Sequence, residues 1–170
     1  MVDPSAETER DFSPLPVEAF FAANHGDEGE SYAFHLGALW PTADDSDWSW
    51  NPQLLIGATQ NTAEQVSAIK GFDLMLRWTP GVGDDEPADG LAWFLEIGAG
   101  IQYVGPESFP QFGTHLNGRL RGGFGGRFDL DDTSELLLGV NWLHMSNGNA
   151  LQPNVGHDGP MLYLGLRRTF

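Results

Sequence analysis

Cysteine is absent from this chain. Neither a disulfide framework nor a thiolate metal site is therefore possible. Long apolar runs are missing too: none approaches the ~20 residues of a membrane helix. Positive charge is scarce, with 8 Lys and Arg against 24 Asp and Glu, a net charge of −16. That balance argues against nucleic acid as a partner. No basic and apolar leader follows Met1-Val2-Asp3-Pro4, so either the protein is not exported or this is a processed chain with a start Met added; the second fits the rest of the sequence better. Cofactor motifs are lacking as well. Gly122-Gly123-Phe124-Gly125-Gly126 has neither the Lys nor the helix of a phosphate loop. His25, His35 and His115 are scattered singly, without metal-ligand spacing. No metal and no cofactor is expected.

Apolar residues make up 41% of 170, which excludes a disordered chain and suits one domain. Residues 1–15 read as a flexible polar tail and 16–170 as a single barrel domain. The acids cluster at Asp44, Asp45 and Asp47; at Asp84, Asp85, Glu86 and Asp89; and at Asp129, Asp131 and Asp132. These read as solvated turns. Between them the sequence alternates with a period of two, the pattern of strands with one apolar face. Eight strands are expected: 17–24, 31–40, 48–59, 68–78, 91–103, 114–128, 134–146 and 157–170. In the fifth, Leu91, Trp93, Leu95, Ile97, Ala99, Ile101 and Tyr103 form one face. Ala92, Phe94, Glu96, Gly98, Gly100 and Gln102 form the other.

The polar faces carry glycine and opposite charges: Asp73, Arg77, Glu96, Arg119, Arg121. That composition suits a narrow, packed lumen, and the large aliphatics opposite suit lipid. Several strands reach the ~9–11 residues that cross a bilayer at a tilt. Trp40, Trp48, Trp50, Trp78 and Trp93 would gather at one rim as an interfacial girdle. The expected fold class is all-β, an eight-stranded antiparallel up-and-down transmembrane β-barrel. Both termini then lie on one side, taken as periplasmic, with turns 41–47, 79–90 and 129–133. Loops 25–30, 60–67, 104–113 and 147–156 face outward.

The stretch most able to carry chemistry is His144-Met145-Ser146-Asn147, followed by Gln152-Pro153-Asn154 and Asp158. A Ser, a His and a carboxylate are the groups that hydrolyse an ester through a serine nucleophile. His144 and Ser146 share a strand face, roughly 7 Å apart. They continue the apolar set Leu136, Leu138, Val140, Trp142. Asp158 shares its parity with Pro160, Leu162, Leu164 and Leu166. All three would thus stand on the lipid-facing wall, where such groups are costly without function. His157, of opposite parity, reads as a structural or rim histidine. Arg119, Arg121 and Arg127 read as lumen ion pairs rather than a phosphate site.

The segment from His144 to Asp158 resembles the active-site segment of the outer-membrane lipid A 3-O-deacylases (PagL type). That family's pattern is His-x-Ser-Asn, then Pro-Asn-x-Gly and an acid twelve positions after the Ser. Here those positions are His144, Ser146, Asn147, Pro153, Asn154, Gly156 and Asp158. Phe94 to Gly100 resembles the family's central strand, and Gly113 to Phe128 is similar more loosely. The resemblance implies an eight-stranded barrel in the bacterial outer membrane that removes the ester-linked 3-hydroxyacyl chain of lipid A. It implies Ser146 as nucleophile, His144 as general base and Asp158 as orienting acid. Asn147 and Asn154 would serve the oxyanion site or position the loop. In the family's best-known member the acid is Glu, one methylene longer than Asp158. Lipid A or lipopolysaccharide is the implied partner, and a homodimer is compatible with the sequence. A phospholipase or general esterase with the same triad, a non-catalytic structural barrel and a soluble lipocalin-like carrier remain the alternatives.

Overall fold

The computed structural model describes residues 15–43, 46–81, 91–105, 114–152, 154 and 156–170. The tail expected at 1–15 lies, but for Leu15, outside them. Eight long strands follow one another: β1 (Val17–Gly26), β2 (Gly29–Ala38), β3 (Trp48–Asn61), β4 (Val66–Trp78), β5 (Leu91–Val104), β6 (Leu116–Asp131), β7 (Ser134–Ser146) and β8 (His157–Arg168). A two-residue extension of β2, Trp40–Pro41, pairs with β3. Each strand pairs antiparallel with the next. β8 pairs back onto β1, from Val17 opposite Arg168 to Asn24 opposite Met161. The sheet is therefore a closed eight-stranded antiparallel barrel with no free edge. Among the described residues there is no helix.

The expected strands are all present; only 134–146 keeps both of its bounds, and each of the others shifts at one or both ends by one to three residues. β2 begins at Gly29 rather than 31, because Gly26 already pairs with Gly29 across a two-residue turn. The φ of Gly29 is +140°, a value that side chains other than glycine rarely adopt. β6 runs on to Asp131 rather than stopping at 128, since Asp129 pairs with Glu135 and Asp131 with Ser134 around a bulge. The acids lie beyond the apolar band, so pairing there costs no charge burial. Asp131 still caps the turn: its Oδ1 accepts from Thr133 N and Oγ, both at 2.9 Å. These bonds, the backbone N–H first, hold its carboxyl below the usual aspartate range.

The period of two decides which side each residue takes. Outward stand Leu54, Ile56, Leu74, Ile97, Ile101, Leu120, Phe124, Leu138, Leu162 and Leu164, all exposed. Inward stand Glu18, Asp73, Arg77, Glu96, Arg119 and Arg121, all nearly inaccessible. An apolar exterior around a polar interior is the reverse of a soluble barrel, and it excludes the lipocalin-like carrier.

The interior is a packed ionic core. Arg77 bonds Glu18 and, through Nη2, Glu96 Oε2 at 2.8 Å. Asn141 donates to the other Glu96 oxygen at 2.8 Å, and Asn51 to Glu18 at 2.6 Å. The Arg77 guanidinium also lies 4.0 Å from the Phe94 ring centroid. Arg119 donates to Asp73 at 3.1 Å, and Arg121 to Gln53 at 2.6 Å. Charges in a narrow lumen persist only when partnered in this way. Space is made by inward glycines. A Cβ on Gly139 would fall 2.2 Å from Tyr163 Cζ, and one on Gly125 would fall 2.4 Å from Phe94 Cζ.

Trp40, Trp48, Trp50, Trp78 and Trp93 gather at the end of the barrel where β1 begins and β8 finishes. Trp40 pairs with Trp50 and Trp48 with Trp78. The Trp78 ring meets Trp93 edge-on at 5.4 Å. The opposite end carries the β7–β8 loop.

Candidate active site on the outer wall

Antiparallel pairing of β7 with β8 sets His144 directly opposite Asp158. Facing residues in such a pair put their side chains on the same side of the sheet. His144 Nδ1 is 2.9 Å from Asp158 Oδ1. The carboxylate only accepts, so Nδ1 carries the proton and donates. Nε2 is then left with its lone pair, 3.2 Å from Ser146 Oγ. The ring bridges hydroxyl and carboxylate, as a general base for a serine nucleophile requires.

The three groups face outward with the apolar wall. Their parity is that of Leu138, Val140 and Trp142 on β7 and of Leu162 and Leu164 on β8, all exposed. The His144 and Asp158 side chains are 39% and 45% exposed, so a ligand reaches them from outside the barrel. The opposite parity is buried: Leu143, Met145 and His157 point inward. His157 Nε2 lies 2.6 Å from Asn24 Oδ1 and so supports the barrel interior.

The loop after Ser146 is tied to itself. Asn147 N donates to Asn154 Oδ1 at 2.9 Å, and Asn147 Nδ2 to the Leu151 carbonyl at 2.7 Å. Asn154 Nδ2 donates to Asn149 Oδ1 at 3.1 Å. Gly148, Asn149 and Gly156 have φ of +63°, +64° and +79°. These left-handed residues fold the segment back so that β8 starts beside the end of β7. Pro153 lies outside the described residues.

Two neighbours are not apparent from the sequence motif. Trp142 Nε1 donates to Asp158 Oδ1 at 3.4 Å, a second donor on the acid. Its signal was parity alone, two residues before His144. Gly118, on β6, pairs with Ser146. It presents no side chain beside the hydroxyl, and a Cβ there would meet only the Ser146 carbonyl, at 3.5 Å. On the other flank, a groove of about 450 Å³ runs from Asp158, Trp142 and Pro160 to His25, Asp27 and Thr62.

A closed, lipid-faced barrel of eight strands places the chain among outer-membrane β-barrels, and solved structures agree. The crystal structure of the outer membrane enzyme PagL matches with a TM-score of 0.67 and 18% identity, over 87% of this chain and 97% of that one. Neisserial surface protein A matches with a TM-score of 0.67 and 11% identity, over 92% and 97%. The N-terminal β-barrel domain of Pseudomonas aeruginosa OprF follows at 0.52 and 14%, over 91% and 97%. At such identities these likenesses speak for the fold alone. No curated protein matches the chain in sequence. The sequence profile of the lipid A 3-O-deacylases (PagL) matches residues 31–167, most of the chain, and the protein belongs to that family.

Proposed function

We propose that this protein is a serine esterase of the outer membrane that removes the ester-linked 3-hydroxyacyl chain of lipid A. One observation carries the reading: Ser146, His144 and Asp158 form a connected hydrogen-bonded line on the lipid-facing wall. A soluble ester would be served as well by a site in a lumen or a cleft. A site on the outer wall serves an ester that already lies in the leaflet.

His144 Nε2 takes the Ser146 proton, and Oγ attacks the ester carbonyl carbon. The tetrahedral oxyanion collapses, and the sugar 3-oxygen leaves with the proton from His144. Water, deprotonated by the same Nε2, then cleaves the acyl-enzyme and releases a 3-hydroxy fatty acid. Asp158 stabilises the imidazolium at each stage. Asn147 and Asn154 hold the loop through their mutual bond. Asn154 spends one Nδ2 hydrogen on Asn149, and its second is the donor proposed for the oxyanion. The acyl chain lies along Leu138, Val140, Trp142 and Leu164, concentrated and aligned by the leaflet.

Mass spectrometry of lipid A after expression in a Gram-negative host tests this directly. Loss of one hydroxyacyl chain is expected, and it should vanish in Ser146→Ala. Lyso-phospholipid with intact lipid A would select a phospholipase instead. Unchanged lipids would favour a structural barrel.

A further inference from the structure

Of the eight cations in the chain, five arginines are committed to the lumen: Arg77, Arg119, Arg121, Arg127 and Arg167. Among the described cations only Lys70 and Arg168 are exposed. Arg168 lies at the terminal end of the barrel, at the end of β8. Lys70, the chain's one lysine, stands on the outer wall near the other end. It is eight residues above Trp78 on β4, about 20 Å above the girdle for a strand rising ~3.3 Å per residue at a ~40° tilt. That is close to the upper boundary of an apolar band ~25 Å tall. A lysine there extends its ammonium to the headgroup layer and keeps its stem in the hydrocarbon.

Its surroundings are built for a cation with an open side. Lys70 Nζ lies 5.4 Å from the Tyr103 ring centroid. The Tyr103 ring is stacked on His115, again at 5.4 Å. His115 Nδ1 donates to the Val104 carbonyl at 3.1 Å, which fixes the ring. Among the described residues no carboxylate pairs with Lys70, whereas the lumen arginines all have ionic partners.

The register relates this cluster to the proposed nucleophile. Ser146 faces Gly118, Gly118 faces Ile101, and Ile101 faces Phe72. Lys70 is two residues further along β4 on the same outer face. Three strand spacings, about 14 Å, and a two-residue rise of roughly 7 Å separate it from Ser146, about 16 Å along the wall. The opposite flank of the site is acidic, with Asp158 and Asp27 lining the groove and Glu30 just beyond, held by His25 and Tyr32.

We infer that Lys70, braced by Tyr103 and His115, binds a phosphate on the far sugar of a two-sugar glycolipid whose near sugar carries the ester at Ser146. The charge asymmetry sets the direction. An anionic headgroup is repelled from the Asp27 side and drawn across β6 and β5 to β4. Length then selects the class of lipid. A glycerol headgroup, with its phosphate a few bonds from the ester, cannot reach both groups, and a phosphorylated disaccharide can. This inference rests on the deacylase reading for the position of the ester. Lys70 acts as a positioning residue and takes no part in the bond changes.

The test uses the full chain in detergent micelles, in the Ser146→Ala background so that nothing is consumed. Lipid A with both phosphates, and lipid A lacking the far-sugar phosphate, are titrated by native mass spectrometry. Lys70→Gln should weaken binding of the first about tenfold, with Lys70→Arg restoring most of it. The second lipid should bind the parent and Lys70→Gln equally. In the active chain the same substitution should raise KM and leave kcat. Equal binding of the doubly phosphorylated lipid by parent and Lys70→Gln would overturn the inference, as would equal losses for both lipids. Binding through Lys70 by a chain that cleaves no lipid A would keep this site and refute the deacylase reading.

Discussion

Trp142 and Asp158 are joined across the β7–β8 pair by an indole N–H at 3.4 Å from the same carboxylate oxygen that His144 engages at 2.9 Å. The acid is thus held by two donors on one strand. Trp142→Phe keeps the apolar surface and removes only the indole donor. The bond is long and half-exposed, so the expected loss in deacylation rate is modest, roughly threefold to tenfold. Trp142→Ala should cost more, because the acyl wall goes too. Equal rates in Trp142→Phe and the parent would leave the indole a packing group only.

Ser146→Ala and His144→Ala should each lower activity by several orders of magnitude while the barrel stays folded and heat-modifiable. In the proposed triad the two act as a unit, so the double variant should be little worse than either alone. Near-normal cleavage of lipid A by Ser146→Ala would end the nucleophile assignment.

In the proposed mechanism Asp158 orients His144 and does not react. Asp158→Ala should keep measurable activity, and Asp158→Glu should be the mildest change at the site. The assay is the rate of 3-hydroxy fatty acid release. If Asp158→Ala matched the parent, the acid would lie elsewhere; Glu107, the nearest outer-loop candidate by topology, falls outside the described residues.

The alternation of residues carried most of the fold. Leu91 to Tyr103 declares its two faces without help, and so does the outward position of His144, Ser146 and Asp158. What alternation cannot give is partner identity across the lumen. Arg77 meets Glu18, 59 positions away, and Arg121 meets Gln53, 68 away, only because the sheet closes with one particular stagger. Inward parity is a property of a strand, while a lumen pair is a property of the closed barrel. The site divides in the same way. The motif names His144, Ser146 and Asp158, but the Asn147–Asn154 bond and the gap at Gly118 depend on loop path and on β6 register. The acidic turns hide the last residues of β6, because clustered charge marks a turn in the sequence although the backbone still pairs as far as Asp131.

The lumen network gives a stability prediction independent of catalysis. Arg77→Met leaves Glu18 and Glu96 buried without their shared cation. Breaking such a set from one side costs about 3–5 kcal/mol. Urea unfolding in micelles, followed by the gel shift of the folded barrel, should show the unfolding free energy falling by that amount and the midpoint with it. Replacing Arg77 with Met together with Glu18 and Glu96 with Gln should recover much of it, since no net charge is then stranded.

Gly118 gives the sharpest separation of folding from function. Its outer face looks to lipid, and a Cβ there meets only the Ser146 carbonyl at ordinary contact distance, 3.5 Å. Gly118→Leu should therefore fold as well as the parent, with a leucine added to an already apolar wall. The same side chain would occupy the space beside Ser146 Oγ where the ester must lie. Displacing a reacting group by about 1 Å costs on the order of a hundredfold, so a loss of at least about tenfold in kcat/KM is expected. Gly118→Ala should fall between. A Gly118→Leu barrel with full activity would mean that the ester approaches Ser146 from the β8 side, over the groove at Asp27, and the direction inferred for the headgroup would have to be reversed.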